Sequence, residues 1–172
     1  MAVIDELIEA NSQYAKKFDK GGLAMPPRRK VAVVTCMDAR IVPSRALGLE
    51  EGDAHVIRNA GGRAKDALRS LIVSQRLLGT REVAVIHHTD CGMLTFKNED
   101  LRAQVKRELN ADAGGIDFLP FSDVERSVRD DVAVRHLNAI SSEARSSSIS
   151  QSITLTGKLP YEINSSWNAP RR

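Results

Sequence analysis

Cys36 and Cys91 are the only cysteines in the sequence, and His88 stands three residues before the second of them. Thiolate sulfur and imidazole nitrogen are donors that Zn²⁺ accepts in tetrahedral geometry. Three such donors leave one position open, which is the catalytic arrangement rather than the closed structural one. A closed site would need a fourth Cys or His. His87, on an extended strand, points to the face opposite His88, and His55 and His136 stand at spacings that give no sign of ligation. Two other readings fit a pair of cysteines: a single disulfide, uncommon in an intracellular protein of this size, and two buried free thiols. His-x-x-Cys alone is a weak signal, so the surroundings of each cysteine must decide.

The elements that would carry these residues follow from hydrophobic pattern. Val31 to Thr35 is a short apolar run rich in β-branched residues, as expected of a strand buried on both faces. Cys36 follows its end. Val83 to Ile86 reads the same way and stops at His87-His88. Ala54 to Ile57 is a third strand candidate, closed by Arg58-Asn59-Ala60-Gly61-Gly62. Helices are expected over about 2–19, from Pro43 to Leu47, over 63–78 with Leu68, Leu71, Ile72, Leu77 and Leu78 as the apolar face, over 98–110 and over about 122–139. Strands alternating with helices predict an α/β fold, a mostly parallel sheet flanked by helices with the N-terminal helix packed outward. In such sheets, sites form beyond the carboxyl ends of the strands. If the strands at 31–35 and 83–86 are neighbours, Cys36, His88 and Cys91 meet at one edge.

Joined to Cys36-Met37-Asp38-Ala39-Arg40, the motif resembles the β-class carbonic anhydrases. Their pattern, Cys-x-Asp-x-Arg followed by His-x-x-Cys, is met in full. Arg58-Asn59-Ala60-Gly61-Gly62 and His88-Thr89-Asp90-Cys91-Gly92 are similar as well, and the likeness runs from the first helix to about residue 135. The resemblance implies a Zn²⁺ held by Cys36, His88 and Cys91, with water in the fourth position, that hydrates CO₂ to bicarbonate. It also implies a carboxylate–guanidinium pair. Asp38 would accept a hydrogen bond from the attacking water, and Arg40 would hold Asp38 off the metal. Released from Arg40, Asp38 would become the fourth ligand and close the site. Gly61 and Gly62 would let backbone N–H groups bind a bicarbonate oxygen, or would form a plain loop before the next helix. Asp90 is expected to bond locally in its turn, and no histidine stands out as a proton shuttle. A zinc-binding member of weak activity kept as a structural or interaction protein, and a hydrolase of carbon disulfide or carbonyl sulfide with the same ligands, are the alternatives.

The bulk composition sets limits. The 172 residues fit one domain over 1–172. Aromatics are only 4%, which argues against a protein that stacks single-stranded bases. The net charge is +3 with mixed signs, and the basic run Arg28-Arg29-Lys30 reads as a solvated entry to a strand, so no nucleic-acid partner is expected. No apolar run reaches the roughly 20 residues that span a bilayer, and no export signal is visible, so no membrane partner and a cytoplasmic location are expected. Apolar faces on the first helix, and a pocket that lies at a subunit interface in the resembled family, predict a homodimer or larger even oligomer. The stretch 141–172 diverges. Seven of the twelve residues from Ser141 to Ser152 are serine, and it reads as loop or weakly ordered chain with one short strand near Ile153 to Leu155. There it departs from the family, whose members continue into a strand and hairpin.

Overall fold

The computed structural model of the chain describes residues 2–133, 150–156 and 162–164. Within them α1 (Val3–Lys17) is followed by β1 (Val31–Cys36), α2 (Pro43–Leu47), β2 (Ala54–Asn59), α3 (Ala64–Arg76), β3 (Glu82–His88), α4 (Asn98–Leu109), α5 (Val124–Val132), β4 (Ser150–Thr156) and β5 (Glu162–Asn164). The five strands form one sheet in the order β2-β1-β3-β4-β5. The first four run parallel and β5 runs antiparallel to β4. The predicted α/β class and parallel sheet are present. So is the condition on which the site depended, because β1 and β3 are direct neighbours with Thr35 opposite Ile86.

Alternation along β1 and β3 divides the core. Ala32, Val34, Val83 and Val85 pack under α3 and α5 with Ala64, Ala67, Leu71 and Val128. Val33 and Ile86 face the other way, toward Leu47 and Leu49. Burying a side chain such as Leu71 contributes on the order of 1.5–3 kcal/mol. The first face, covered by two helices, therefore supplies most of the stability that fixes the strand ends.

The helix after Gly62 differs from expectation in which side it buries. Ala64, Ala67, Leu71 and Ser74 are the buried positions of α3, with Leu68 partly so. Ile72 and Leu77 are exposed, at 44% and 76%. Small residues at 64, 67 and 74 let the helix lie close to the sheet, so the larger apolar residues beside them fall outside the contact. The short strand expected near Ile153 to Leu155 is present and longer, as Ser150–Thr156. Ser150–Thr156 pairs with β3 along its length, from Val83↔Ser150 to His88↔Leu155, and β5 adds an antiparallel edge. Ser152-Ile153-Thr154-Leu155-Thr156 alternates polar and apolar residues, which suits a strand whose pairing is supplied by a neighbour. His136 and the part of the expected 122–139 helix beyond 133 lie outside the described residues.

Candidate metal centre

Cys36 is the last residue of β1 and His88 the last of β3, so both leave the sheet at its carboxyl edge. Asp90 then adopts φ 55, a left-handed turn that brings Cys91 back beside His88. The Cys91 carbonyl accepts from Leu94 N at 3.0 Å and starts a short 3₁₀ turn over Gly92–Leu94. The result places one sulfur of each cysteine and an imidazole nitrogen of His88 within 4.8 Å of one another. All three residues are buried, at 5%, 1% and 3% exposure for Cys36, His88 and Cys91.

Both cysteines are free. Their sulfurs lie 3.9 Å apart, far beyond a disulfide bond of about 2.05 Å. Two zinc–sulfur bonds of about 2.3 Å at a tetrahedral angle span about 3.8 Å, so the separation suits sharing one tetrahedral ion. His88 Nδ1 lies 2.8 Å from the Thr89 carbonyl oxygen, which can only accept. In the neutral ring Nδ1 therefore carries the hydrogen and Nε2 carries the lone pair, the tautomer a metal needs. The donor set thus fits Zn²⁺ by type, spacing and tautomer. Among the described residues, no other such group of His, Cys, Asp and Glu is present.

The sulfurs share a proton unequally. The hydrogen bond from Cys91 pulls the Cys36 thiol well below its usual range against the opposing effect of burial, and the His88 ring and the N–H groups of Asp38 and Gly61 act in the same direction. The same bond, with burial, raises Cys91. Burial opposes charge on His88, but the hydrogen bond and charge of Cys36 outweigh it and raise the ring's pKa. Around the sulfurs Ile41 and Met93 are buried, and Ala60, Leu94, Phe96 and Phe121 pack against them. This apolar wall keeps the local dielectric low and strengthens every charge beside it.

Asp38 faces the cluster, with Oδ2 3.8 Å from His88 Nε2. Arg40 grips it from the far side. Nε and Nη2 reach Oδ1 and Oδ2 at 3.0 and 2.7 Å, and the backbone N–H of Arg40 adds a third bond at 2.9 Å. This fork lowers the Asp38 pKa to about 2, so the carboxylate is ionised at any working pH. Arg40 in turn donates to Asp90 Oδ2 at 2.7 Å and to the Asp90 carbonyl at 3.0 Å. Asp90 was expected to bond only within its own turn; instead it completes the clamp. Its reversed turn aims both oxygens back toward the end of β1. Arg58 is a second residue that sequence reasoning passed over. It donates to the Cys36 and Asp38 carbonyls at 3.0 and 2.7 Å. Its position opposite Thr35 in the β1–β2 register, at the same sheet edge, is the signal that could have found it.

Gly61 and Gly62 have φ 79 and 70, conformations that favour glycine. A Cβ on Gly62 would lie 2.8 Å from the Ile86 carbonyl and 3.0 Å from Cys36 N, and one on Gly61 2.8 Å from Met93 Cγ. The turn is wedged between the ends of β1 and β3 and against the sulfur-side wall. His87 points away from the cluster to Ser127, on the face opposite His88 as its place on the strand predicted, and His55 bonds Ser74.

The carbonic anhydrase family model matches residues 31–116, half of the chain and the whole of the described cluster. β-Carbonic anhydrase 1 of Mycobacterium tuberculosis is 53% identical over 109 residues, covering 63% of this chain and 66% of that protein. A carbon disulfide hydrolase of Acidianus is 41% identical over 99 residues, covering 57% of this chain and 47% of its own. The chain thus spans slightly under two thirds of the first of these relatives and about half of the second. The crystal structure of carbonic anhydrase from Streptococcus mutans superposes with a TM-score of 0.81 at 44% identity, over 91% of this chain and 93% of that one. With family model, relatives and fold in agreement around one Cys–His–Cys edge, this chain belongs to the β-class carbonic anhydrase family.

Proposed function

We propose that the chain catalyses the reversible hydration of carbon dioxide to bicarbonate and a proton, using Zn²⁺ held by Cys36, His88 and Cys91. The observation that carries this reading is the convergence of those three side chains beside an arginine-clamped carboxylate. When bound, zinc supplies a Lewis acid that makes water available as a nucleophile near neutral pH. Cys36 and Cys91 would hold the ion as thiolates, and the Thr89 carbonyl, by accepting from Nδ1, would keep His88 Nε2 available to it. Asp38 accepts a hydrogen bond from the attacking water and aims it at carbon. Arg40, braced by Asp90, grips Asp38, a hold that would keep the carboxylate from closing on a bound ion. The apolar wall of Ile41, Met93 and Phe121 suits an uncharged substrate. Gly61 and Gly62 border this pocket; the Gly61 N–H is directed at the Cys36 sulfur, so the bicarbonate oxygen we assign to this turn falls to the Gly62 N–H.

The closeness of carbon disulfide hydrolases keeps a second substrate in view. Stopped-flow CO₂ hydration on the zinc-loaded protein, with carbon disulfide as the competing substrate, decides between them. Cys36→Ser is expected to lose both zinc and CO₂ hydration. Zinc retained by that variant, or turnover of carbon disulfide alone, overturns the reading.

We further propose a homodimer or larger even assembly. Every residue of α1 is unburied, and Val3, Ile4, Leu7, Ile8, Tyr14 and Phe18 are exposed. Among the described residues no helix is long and apolar enough to cross a membrane. A cytoplasmic setting is proposed because two thiolate ligands must stay reduced to hold the ion.

A further inference from the structure

Behind the ligands lies a second polar cluster, which the metal chemistry does not use. Its centre is Asp131 on α5, 2% exposed. Arg63 Nε and Nη2 donate to its two oxygens at 2.9 and 3.0 Å, and Ala64 N donates at 3.0 Å. His87 Nε2 lies 3.3 Å from Oδ2 and 3.2 Å from the Gly62 carbonyl. The other ring nitrogen meets Ser127 Oγ at 2.7 Å. Arg63 Nη1 donates to the Leu119 carbonyl at 2.8 Å, anchoring a residue held at φ 58. Phe121 stacks on the His87 ring at 5.4 Å.

Each donor on Asp131 belongs to a segment that adjoins the metal centre. Arg63 and Ala64 directly follow the Gly61–Gly62 turn. That turn packs against Cys36 N, and its first N–H points at the Cys36 sulfur. His87 directly precedes His88. One buried carboxylate therefore ties both ligand-bearing strand ends to α3 and α5. A buried ion pair is a weak source of stability compared with well-packed apolar groups, whereas here its geometry bears on two ligands at once. Groups that orient ligands through hydrogen bonds govern metal affinity by about 10- to 100-fold.

We propose that Asp131 is a positioning residue for the metal centre, setting the spacing of Cys36 and His88 through Arg63, Ala64 N and His87. This rests on the Cys36–His88–Cys91 site being the metal site. The test measures the zinc dissociation constant by chelator competition, and the visible absorption of the Co²⁺-substituted protein, in Asp131→Asn. Leu71→Ala, a core variant remote from the ligands, serves as the control for lost stability. All variants are compared at a temperature where circular dichroism shows them folded. Asp131→Asn is expected to bind zinc about 10- to 100-fold more weakly with shifted Co²⁺ bands, while Leu71→Ala keeps both at the wild-type values. A lowered melting temperature with unchanged affinity and spectrum overturns the proposal.

Should Asp131→Asn fail to fold, His87→Leu removes the ring's donor to Asp131 and leaves the Arg63–Asp131 pair in place. It is expected to weaken zinc binding, and wild-type affinity in it overturns the proposal. Cys36→Ser, run in parallel, separates the two levels. Zinc retained there defeats the metal site itself. Zinc lost there with unaltered affinity in Asp131→Asn defeats only the positioning role.

Discussion

At the scale of single residues, Asp38 and the two thiolates set opposite limits on the pH dependence. Arg40 holds the Asp38 pKa at about 2, so this carboxylate stays charged across any assay range and contributes no acid limb. The two thiolates cancel the charge of a dication. The water activated there is then a weaker acid than at a three-histidine zinc site, where the value is about 7. The rate of CO₂ hydration is therefore expected to rise with pH on the alkaline side, and a profile flat down to pH 6 contradicts this. Asp38→Asn should lower the rate by roughly 10- to 100-fold at every pH while keeping the alkaline rise; a variant whose rise disappears would make Asp38 the titrating group. The glycines give a second test. Gly62 and Gly79 share φ 70, but a Cβ on Gly79 meets nothing within 4 Å, whereas on Gly62 it strikes the Ile86 carbonyl. Gly79→Ala should cost only the left-handed strain of about 1–2 kcal/mol, and Gly62→Ala should lose zinc or folding altogether. Equal melting temperatures for the two variants would show that the wedge between β1 and β3 is not tight.

At the scale of elements, buried carboxylates fasten the loops that launch the strands. Asp53 is fully buried just before β2, accepting from Glu50 N at 3.1 Å and pairing with Arg28 and Arg29 ahead of β1. The Glu50 N–H, then the two guanidinium groups, lower its pKa despite burial. Asp131 is also lowered: burial opposes the shift, and His87, Arg63 and the Ala64 N–H overcome it. A carboxyl lowered in the folded state stabilises it above the unfolded value of about 3.9, and that contribution is lost as pH falls through the folded value. The melting temperature should hold to about pH 4 and drop below it, and Asp53→Asn should melt lower at pH 7 with a shallower acid decline. An undiminished acid decline in that variant would remove Asp53 from the account. These ties also mark where sequence reading stops. Val31–Cys36 and Glu82–His88 announce themselves through local β-branched runs, and the ligands follow from their ends. The contacts of Arg40 with Asp90, Arg58 with Cys36 and Arg63 with Asp131 join residues 50, 22 and 68 positions apart. No periodicity encodes such pairs. β4 runs longer than the strand expected near Ile153 to Leu155 for a related reason, since pairing with β3 extends it back through the polar residues from Ser150.

At the scale of the whole molecule, the sheet is covered unevenly. α3 and α5 pack on one face, while the other meets Leu47 and Leu49. α1 buries none of its fifteen residues, although Ile4, Leu7 and Ile8 form an apolar stripe, and Tyr14 ties it to the rest of the fold by donating to Glu51 at 3.3 Å. A helix of this length is marginal in water unless an apolar face is packed. Leu23, Met25 and Val56 add further exposed apolar side chains. Exposed apolar side chains in this number mark an association site, and a second copy of the chain would offer the same surfaces in return, as two-fold symmetry requires. Light scattering coupled to size exclusion should therefore give twice the 18.9 kDa chain mass or an even multiple. Leu7→Asp combined with Ile8→Asp should shift the protein toward the monomer and reduce the helical signal, because the helix loses the partner that keeps it folded. A wild-type protein that runs as a monomer with full CO₂ hydration would show that α1 needs no second copy and that the site is complete within one chain.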